Sequence, residues 1–359
     1  MNKYKIEAFS IVSALGRGKA ETWANLRRGV APGMRKLTGL TAGDTTYFGF
    51  LPGWGSERPS EIKTGECRVG SIVEAVYAEL ADAVERVKAQ VGAERIGIVL
   101  GSSNTTMEEF TDNPDHLDMN YPAAKLKDIS GVLGPVLTVS TACSSSAKAF
   151  ASARRLLEGG VVDYVLVGGA DAYTRTVVEG FHALEALSSE VCRPCSRFRS
   201  GITLGEGAAL FLMGRAVTTE GLCLIGIGES SDAHHLTAPD PEGRGAEASM
   251  QAALEEAALK PDALNFVNLH GTGTIYNDAM ELKALRRLLG VAPEATLPVC
   301  AFSTKPLTGH CLGAAGAIEA AIVSLALENG WDKMNSRVAL SNSFAFGGSN
   351  ASVVFRFLF

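Results

Sequence analysis

An α/β fold built from two similar halves is what this sequence predicts, and three observations carry the prediction. Short apolar runs ending in glycine or small polar residues alternate with Ala-rich stretches of helical character. No low-complexity linker interrupts them. Three strand-like stations also recur in the same order. In the first half they are Ile96 to Thr106, Pro135 to Phe150 and Asp163 to Tyr173; in the second, Leu264 to Thr274, Leu297 to Ala320 and Ser336 to Phe355.

The helical stretches run from Gly70 to Gln90, Ala147 to Leu157, Gly245 to Leu259, Asp278 to Leu289 and Ala314 to Asn329, each long enough to cover a sheet face. With 359 residues and 46% hydrophobic content the chain has ample material for a core. If the halves pack about a pseudo-twofold axis, the carboxyl ends of both middle strands and the helices after them meet near one point. Ligands of α/β proteins bind at such points.

Composition excludes several classes of partner. Lys+Arg 33 against Asp+Glu 39 gives a net charge of -6, so no overall basic field holds nucleic acid or an anionic membrane. The start, MNKYKIEAFSIVSALG, lacks the pattern of a secretory signal, and no apolar run reaches the roughly 20 residues of a membrane span. A cytoplasmic location is the expectation. The odd count of seven cysteines is not a disulfide framework in a chain of this length, which leaves at least one thiol for chemistry. Cys192 and Cys195 have zinc-like or redox spacing, but no second pair or HxxxH completes four ligands, so no metal is expected there.

VLTVSTACSSSAKAFASARRLL reads as a buried strand, a tight turn of small residues, and a helix beginning near Cys143. A cysteine at a helix N-terminus faces about half a positive charge from unpaired N–H groups, which favours thiolate, so Cys143 is the candidate nucleophile. Ala142, Ser144 and Ser145 are small enough to let substrate and oxyanion-binding N–H groups approach. His270 in NLHGTGT and His310 in STKPLTGHCLGAAGA each follow a buried-type strand among small residues. Two neutral imidazoles there can donate to, or accept from, the carbonyl of a bound substrate as charge develops on it. Lys305 is expected to pair with Glu281 or Asp278 of NDAMELKAL and so to set the field around the histidines. FAFGGSNAS supplies a Gly-rich turn flanked by Phe344 and Phe346 whose backbone can close over the thiol. Thr272 and Thr274 are positioned either to bind the amides of a thin substrate arm or to cap a helix.

Taken together and in this order, TACSSS, HGTGT, NDAME, STKPLTGHCLGAAGA and NSFAFGGSNAS resemble the signature blocks of the β-ketoacyl-acyl carrier protein synthases with a Cys-His-His centre. The resemblance runs nearly continuously from Pro135 to the C-terminus and more faintly over SIVSALGRGKAETWANLRRG. It implies the five-layered αβαβα thiolase-like fold, internally duplicated, with residues 1–215 carrying the nucleophile and residues 216–359 both histidines. It also implies a dimer, homomeric or formed with a related ketosynthase-like subunit, and acyl groups delivered on the phosphopantetheine arm of an acyl carrier protein, with no resident cofactor. Cys143 would take the acyl chain, and His270 and His310 would bind the malonyl thioester and assist its decarboxylation. Lys305 and Glu281 would form the supporting ion pair. Thr272 and Thr274 would contact pantetheine. Phe346 would be the gate whose N–H joins that of Cys143 in the oxyanion hole.

The sequence departs from the family pattern in places. In CRPCSRFRSGITLGEGAAL, Cys195 stands for an aromatic residue, Ser200 for an acid and Ile202 for a phenylalanine. Met34 to Arg68 is unlike the usual segment, and Thr106 to Gly134 is shorter, features similar to ketosynthases of specialised pathways such as aryl-polyene assembly. A thiolase would carry a second catalytic cysteine in the C-terminal Gly-rich loop, and an initiating synthase an Asn where His310 stands. A chain-length-factor-like partner subunit, which shapes the tunnel of an active synthase, is the non-catalytic alternative; Cys143 with both histidines argues against it. Arg193, Arg197 and Arg199 are read either as a local patch for an acidic carrier protein or as a solvated loop.

Overall fold

The computed structural model describes residues 4–40, 44–62, 67–104, 118–215, 220–330 and 337–358. Strands β1 (Tyr4–Ser13) and β2 (Gly16–Arg17) form a hairpin before helix α1 (Gly18–Arg28), and β3 (Met34–Leu37) and β4 (Thr46–Gly49) form a second one. There follow α2 (Arg68–Ala78), α3 (Ala81–Val91), β5 (Ile96–Gly101), α4 (Tyr121–Ser130), β6 (Val136–Val139), α5 (Ser145–Glu158), β7 (Tyr164–Asp171), α6 (Arg175–Ala183), β8 (Leu204–Gly205) and β9 (Gly207–Arg215). The second half runs β10 (Gly221–Ser231), α7 (Arg244–Glu256), β11 (Phe266–Asn268), α8 (Ile275–Leu288), β12 (Cys300–Phe302), α9 (Lys305–Thr308), α10 (Ala315–Asn329), β13 (Arg337–Phe344) and β14 (Ser349–Leu358).

Strand pairing repeats from one half to the other. The first leaf has the order β6-β5-β7-β9-β1 and the second β12-β11-β13-β14-β10; a short antiparallel contact between Tyr4–Lys5 and Cys223–Leu224 joins them. In each leaf the three inner-to-edge strands are parallel and the remaining two antiparallel. The recurring stations of the sequence are β5, β6 and β7 in one leaf and β11, β12 and β13 with β14 in the other. Thr105, Thr106 and Ser336, at the ends of two stations, lie outside the described residues, as does much of the shortened region after Thr106.

Three hydrophobic clusters separate five layers. The central one packs α5 and α10 between the leaves and includes Phe150, Phe211, Ile318 and Phe355. An outer one packs α2, α3 and α4 on the first leaf, and another packs α7 and α8 on the second. All residues of α10 from Ala315 to Leu327 are buried. A helix apolar all round needs a partner on every side, and the middle layer provides it. Leu312–Asn329 is also the one stretch among the described residues long and apolar enough to cross a membrane, and it is mostly buried inside the protein.

The helix expected from Gly70 to Gln90 is two helices. The chain breaks at Glu79 and Leu80, where the Glu79 carboxylate accepts from Ser10 Oγ at 3.0 Å and Leu80 enters the core of the first leaf. Burying Leu80 and pairing Glu79 with β1 takes precedence over continuing the helical ladder.

Candidate active site

Cys143 and His310 occupy equivalent places in the two leaves. Each follows the middle strand of its station set, β6 or β12, which lies at the edge of its leaf, and precedes a helix of the middle layer, α5 or α10. That equivalence brings residues 167 positions apart to one point, with His310 Nε2 3.0 Å from Cys143 Sγ. His270 follows β11, and its ring meets that of His310 edge-on, with centroids 5.2 Å apart.

The nucleophile turn is locked from within. Ala142 has φ 51, a left-handed conformation that costs a non-glycine residue energy and persists only where its surroundings hold it. Ser145 Oγ donates to the Ala142 carbonyl at 2.6 Å and accepts from the Thr141 N–H at 2.8 Å, while Ser144 Oγ donates to the Thr141 carbonyl at 2.8 Å. The serines of TACSSS thus hold the elbow that presents the thiol. Gly101 lets α5 start against β5; a Cβ there would lie 2.2 Å from the Ser146 nitrogen.

Burial reverses the expected titration of the thiol. Cys143 precedes the α5 N-terminus as expected, but desolvation outweighs the helix field and pushes its pKa up to about 11, with the Lys305 charge and the N–H groups of Phe346 and Cys143 pulling down. These two N–H groups, the expected oxyanion-hole donors, both face the sulfur. Burial likewise holds His270 and His310 well below the ordinary histidine range, and Lys305 adds to the effect, so both rings are neutral.

Lys305 does not pair with Glu281. Its ammonium, fully buried at the start of α9, is held by the Glu319 carboxylate and the His270 carbonyl. Glu281 instead accepts from the backbone N–H groups of His270 and Gly271, both at 2.8 Å, and from Asn342 Nδ2 at 3.1 Å. Three residues earlier on the same face of α8, Asp278 accepts from the N–H groups of Gly273 at 3.1 Å and Cys195 at 2.7 Å. The two acids clamp the HGTGT loop by its backbone, a role open to them because α8 begins directly after that loop. Burial raises the Glu281 pKa to about 7 even with these donors.

Glu319 was not singled out in the sequence. Its signal was a carboxylate amid the apolar run AGAIEAAIVSLAL, which requires a buried cation. Asn342 and the Ser144–Ser349 contact at 3.0 Å, which ties the nucleophile turn to the Gly-rich turn, carry no comparable signal.

A cavity of about 400 Å³ opens above the three side chains. Phe181, Ile202, Phe344 and Phe346 make apolar walls, and Thr272 and Thr274 line the approach. Phe346 stacks on Phe181 with centroids 5.9 Å apart, and Phe344 packs beside His270 at 6.2 Å. The two threonine hydroxyls lie 3.1 Å apart, and Thr274, at the N-cap of α8, makes no side-chain cap bond.

The beta-ketoacyl synthase N-terminal domain matches residues 58–218, and the beta-ketoacyl synthase C-terminal domain matches residues 223–335. The chain belongs to the β-ketoacyl synthase family. Among its relatives within this family, 3-oxoacyl-acyl-carrier-protein synthase 2 of Staphylococcus aureus is 29% identical over 413 aligned residues, covering 98% of this chain and 100% of that one. The enzyme of the same name from Vibrio harveyi is 34% identical over 277 residues, 66% of each chain. The structure of the ketosynthase ApeO in complex with its chain length factor ApeC from Xenorhabdus doucetiae superposes with a TM-score of 0.87 at 33% identity, covering 99% of this chain and 98% of the matched one. Where this chain departs from the family block around Cys195, substitute contacts hold the loop. Cys195 takes φ 60 and offers its N–H to Asp278, Ser200 Oγ lies 2.9 Å from Ser188 Oγ, and Ile202 enters the cavity wall.

Proposed function

We propose that this protein is an active β-ketoacyl-acyl carrier protein synthase that condenses a Cys143-bound acyl group with a malonyl unit as carbon dioxide leaves. The 3.0 Å contact between Cys143 Sγ and His310 Nε2, on the floor of an apolar-walled cavity, carries the reading. In the first half-reaction the Cys143 sulfur attacks the thioester carbonyl of the acyl carrier, its proton moves through His310 Nε2 to the departing carrier thiol, and the new thioester forms on Cys143. In the second, the bond between the malonyl methylene and its carboxylate breaks and the electron pair passes into the thioester carbonyl. His270, neutral, donates a hydrogen bond to that oxygen beside the neutral ring of His310. The carbanion then attacks the acyl-Cys143 carbonyl, whose oxyanion meets the N–H groups of Cys143 and Phe346. Collapse releases the Cys143 thiolate, which takes up a proton from solvent to restore the resting thiol.

In this scheme Lys305 and Glu319 form the supporting ion pair, Glu281 positions His270, Phe344 and Phe346 form the movable wall, and Thr272 and Thr274 bind the pantetheine amides. Residues 1–215 deliver the nucleophile and residues 216–359 both histidines, so neither half acts alone. No resident cofactor or metal takes part in the reaction, and a cytoplasmic location fits the carrier-linked substrates.

An acyl carrier protein is the substrate-bearing partner, in line with the enzyme names of the Staphylococcus and Vibrio relatives. A second copy or a related ketosynthase-like subunit is the other partner. Among the described residues, edge strand β6 is bonded on one side only and is more open than the fully buried β5; Leu137 on it is 41% exposed, and Leu133, just before it, 67%. The pairing of ApeO with its chain length factor ApeC supports the heteromeric form. The non-catalytic alternative, a chain-length-factor-like subunit, loses ground to the complete Cys-His-His centre.

The test is intact-mass analysis of wild type and Cys143→Ala with a panel of acyl-carrier thioesters of different chain length. A Cys143-dependent adduct that malonyl-carrier consumes establishes the synthase and its primer. No adduct with any chain, in the presence of a co-expressed related subunit, overturns it.

A further inference from the structure

The floor of the cavity gathers donors whose chemistry extends beyond thioester exchange. Cys143 Sγ and one ring nitrogen from each of His270 and His310 lie within 4.8 Å of one another, and all three side chains are buried. Among the described residues no other three His, Cys, Asp or Glu donors converge so closely. Cys192 and Cys195, the pair with metal-like spacing in the sequence, gather no third ligand in this way.

One thiolate and two neutral imidazoles are the donors that zinc takes in three-ligand sites whose fourth position stays open. A tetrahedral zinc ion, with bonds near 2.3 Å to sulfur and 2.0–2.1 Å to nitrogen, sets sulfur and nitrogen about 3.5 Å apart and two nitrogens about 3.3 Å apart. The Cys143–His310 contact at 3.0 Å has to open by about half an ångström to admit it, and the third donor is already within reach. The cavity above leaves room for a water or a small anion as the fourth ligand.

One nearby charge opposes a cation. The Lys305 ammonium acts on all three donors. Its partner Glu319 is equally buried and offsets that field, and Asp171 contributes a field of opposite sign at the thiol.

We infer that Cys143, His270 and His310 together form a binding site for a single zinc ion, which reversibly blocks the chemistry of the triad. On binding, the Cys143 S–H proton passes to solvent as the Zn–S bond forms, and no group is oxidised or reduced. The sulfur lone pair that would attack a thioester, and the imidazole nitrogens that would polarise one, are then engaged with the metal. The inhibitory consequence rests on the synthase reading; the binding itself does not.

The test titrates the reduced full-length protein with Zn²⁺ against a chromophoric chelator and, in parallel, with Co²⁺ to record a thiolate-to-metal absorption band. One ion per chain is expected, with the band present in wild type. Cys143→Ala and His310→Ala should each weaken binding on the order of tenfold or more, whereas the Cys192→Ser/Cys195→Ser double variant binds as wild type. Alkylation of Cys143 in folded wild type should give the same loss without any mutation, which keeps the result independent of variant folding. Chelator should restore reaction with acyl-carrier thioesters. Zinc binding that survives alkylation of Cys143, that disappears in the Cys192/Cys195 variant, or that never saturates at millimolar metal overturns the inference. A protein that binds zinc at Cys143 yet forms no acyl adduct keeps this site and refutes the synthase; one that acylates but binds no zinc does the reverse.

Discussion

At Cys143 two influences compete, the α5 N-terminus with its N–H groups and the Lys305 charge on one side, and desolvation by burial on the other. Desolvation prevails in the resting protein, so the thiol stays protonated at neutral pH, and in the mechanism proposed above it gains nucleophilicity as its proton moves to His310. Cys143→Ala should therefore abolish the acyl adduct, seen by intact mass, while the far-UV circular dichroism stays that of wild type. A linkage prediction follows from the direction of the shift. Folding raises this pKa from 9.0 to about 11, so the folded state holds the proton more tightly. The stability tied to it is complete below pH 9.0 and is lost as pH climbs through about 11. Urea unfolding across that window should show wild type losing on the order of 3 kcal/mol relative to Cys143→Ala. Parallel pH profiles for the two proteins would contradict the assignment of the burial effect to this residue.

The elements around the triad are tied by acids that the sequence offers at regular helical spacing. Asp278 and Glu281, one turn apart on α8, hold the HGTGT loop by three of its N–H groups. Glu281→Ala leaves two buried N–H groups without partners, and each costs about 1–3 kcal/mol. Thermal unfolding should register that loss, and the turnover of any remaining folded enzyme should fall because His270 loses its anchor. The Lys305–Glu319 pair joins α9 to the second turn of α10. Removing either partner alone strands a buried charge and should cost about 3–5 kcal/mol, whereas replacing both with apolar residues of similar volume should recover most of it. A double-mutant cycle on Lys305→Met and Glu319→Leu measures this coupling. Recovered stability without recovered condensation would separate the field that Lys305 supplies from its structural part.

At the scale of the molecule, two leaves of matching strand order enclose α5 and α10, and the reactive groups lie where the ends of the leaves meet. The station order in the sequence made the duplication legible, because buried strands ending in small residues keep that character in both halves even though their letters differ. The merging of the leaves through β1 and β10 was not legible, since a two-residue contact between distant segments leaves no pattern. Among the described residues β6 is an edge strand with Leu137 exposed, which points to assembly as the next level. If the dimer proposed above forms through this edge, Leu137→Arg should shift it to monomer in sedimentation velocity or light scattering, whether the partner is a second copy or a related chain. A dimer that persists in this variant moves the interface elsewhere.

By itself the sequence determined the α/β class, the order of the six stations and the residues to which the chemistry is assigned in the proposal above. Nucleophile, imidazoles and Gly-rich turn each carry a local signal, a small-residue setting after a buried strand, and local signals survive in one dimension. Tertiary structure decided which of those residues pair and how they titrate. Lys305 chose Glu319 over Glu281 because α10 passes through the middle layer within reach of its ammonium, while Glu281 is taken up by the backbone of the loop preceding its own helix. The Cys143 thiol lies above its ordinary pKa, against the helix field, because desolvation depends on what the whole fold places around the sulfur, and no window of neighbouring residues contains that information.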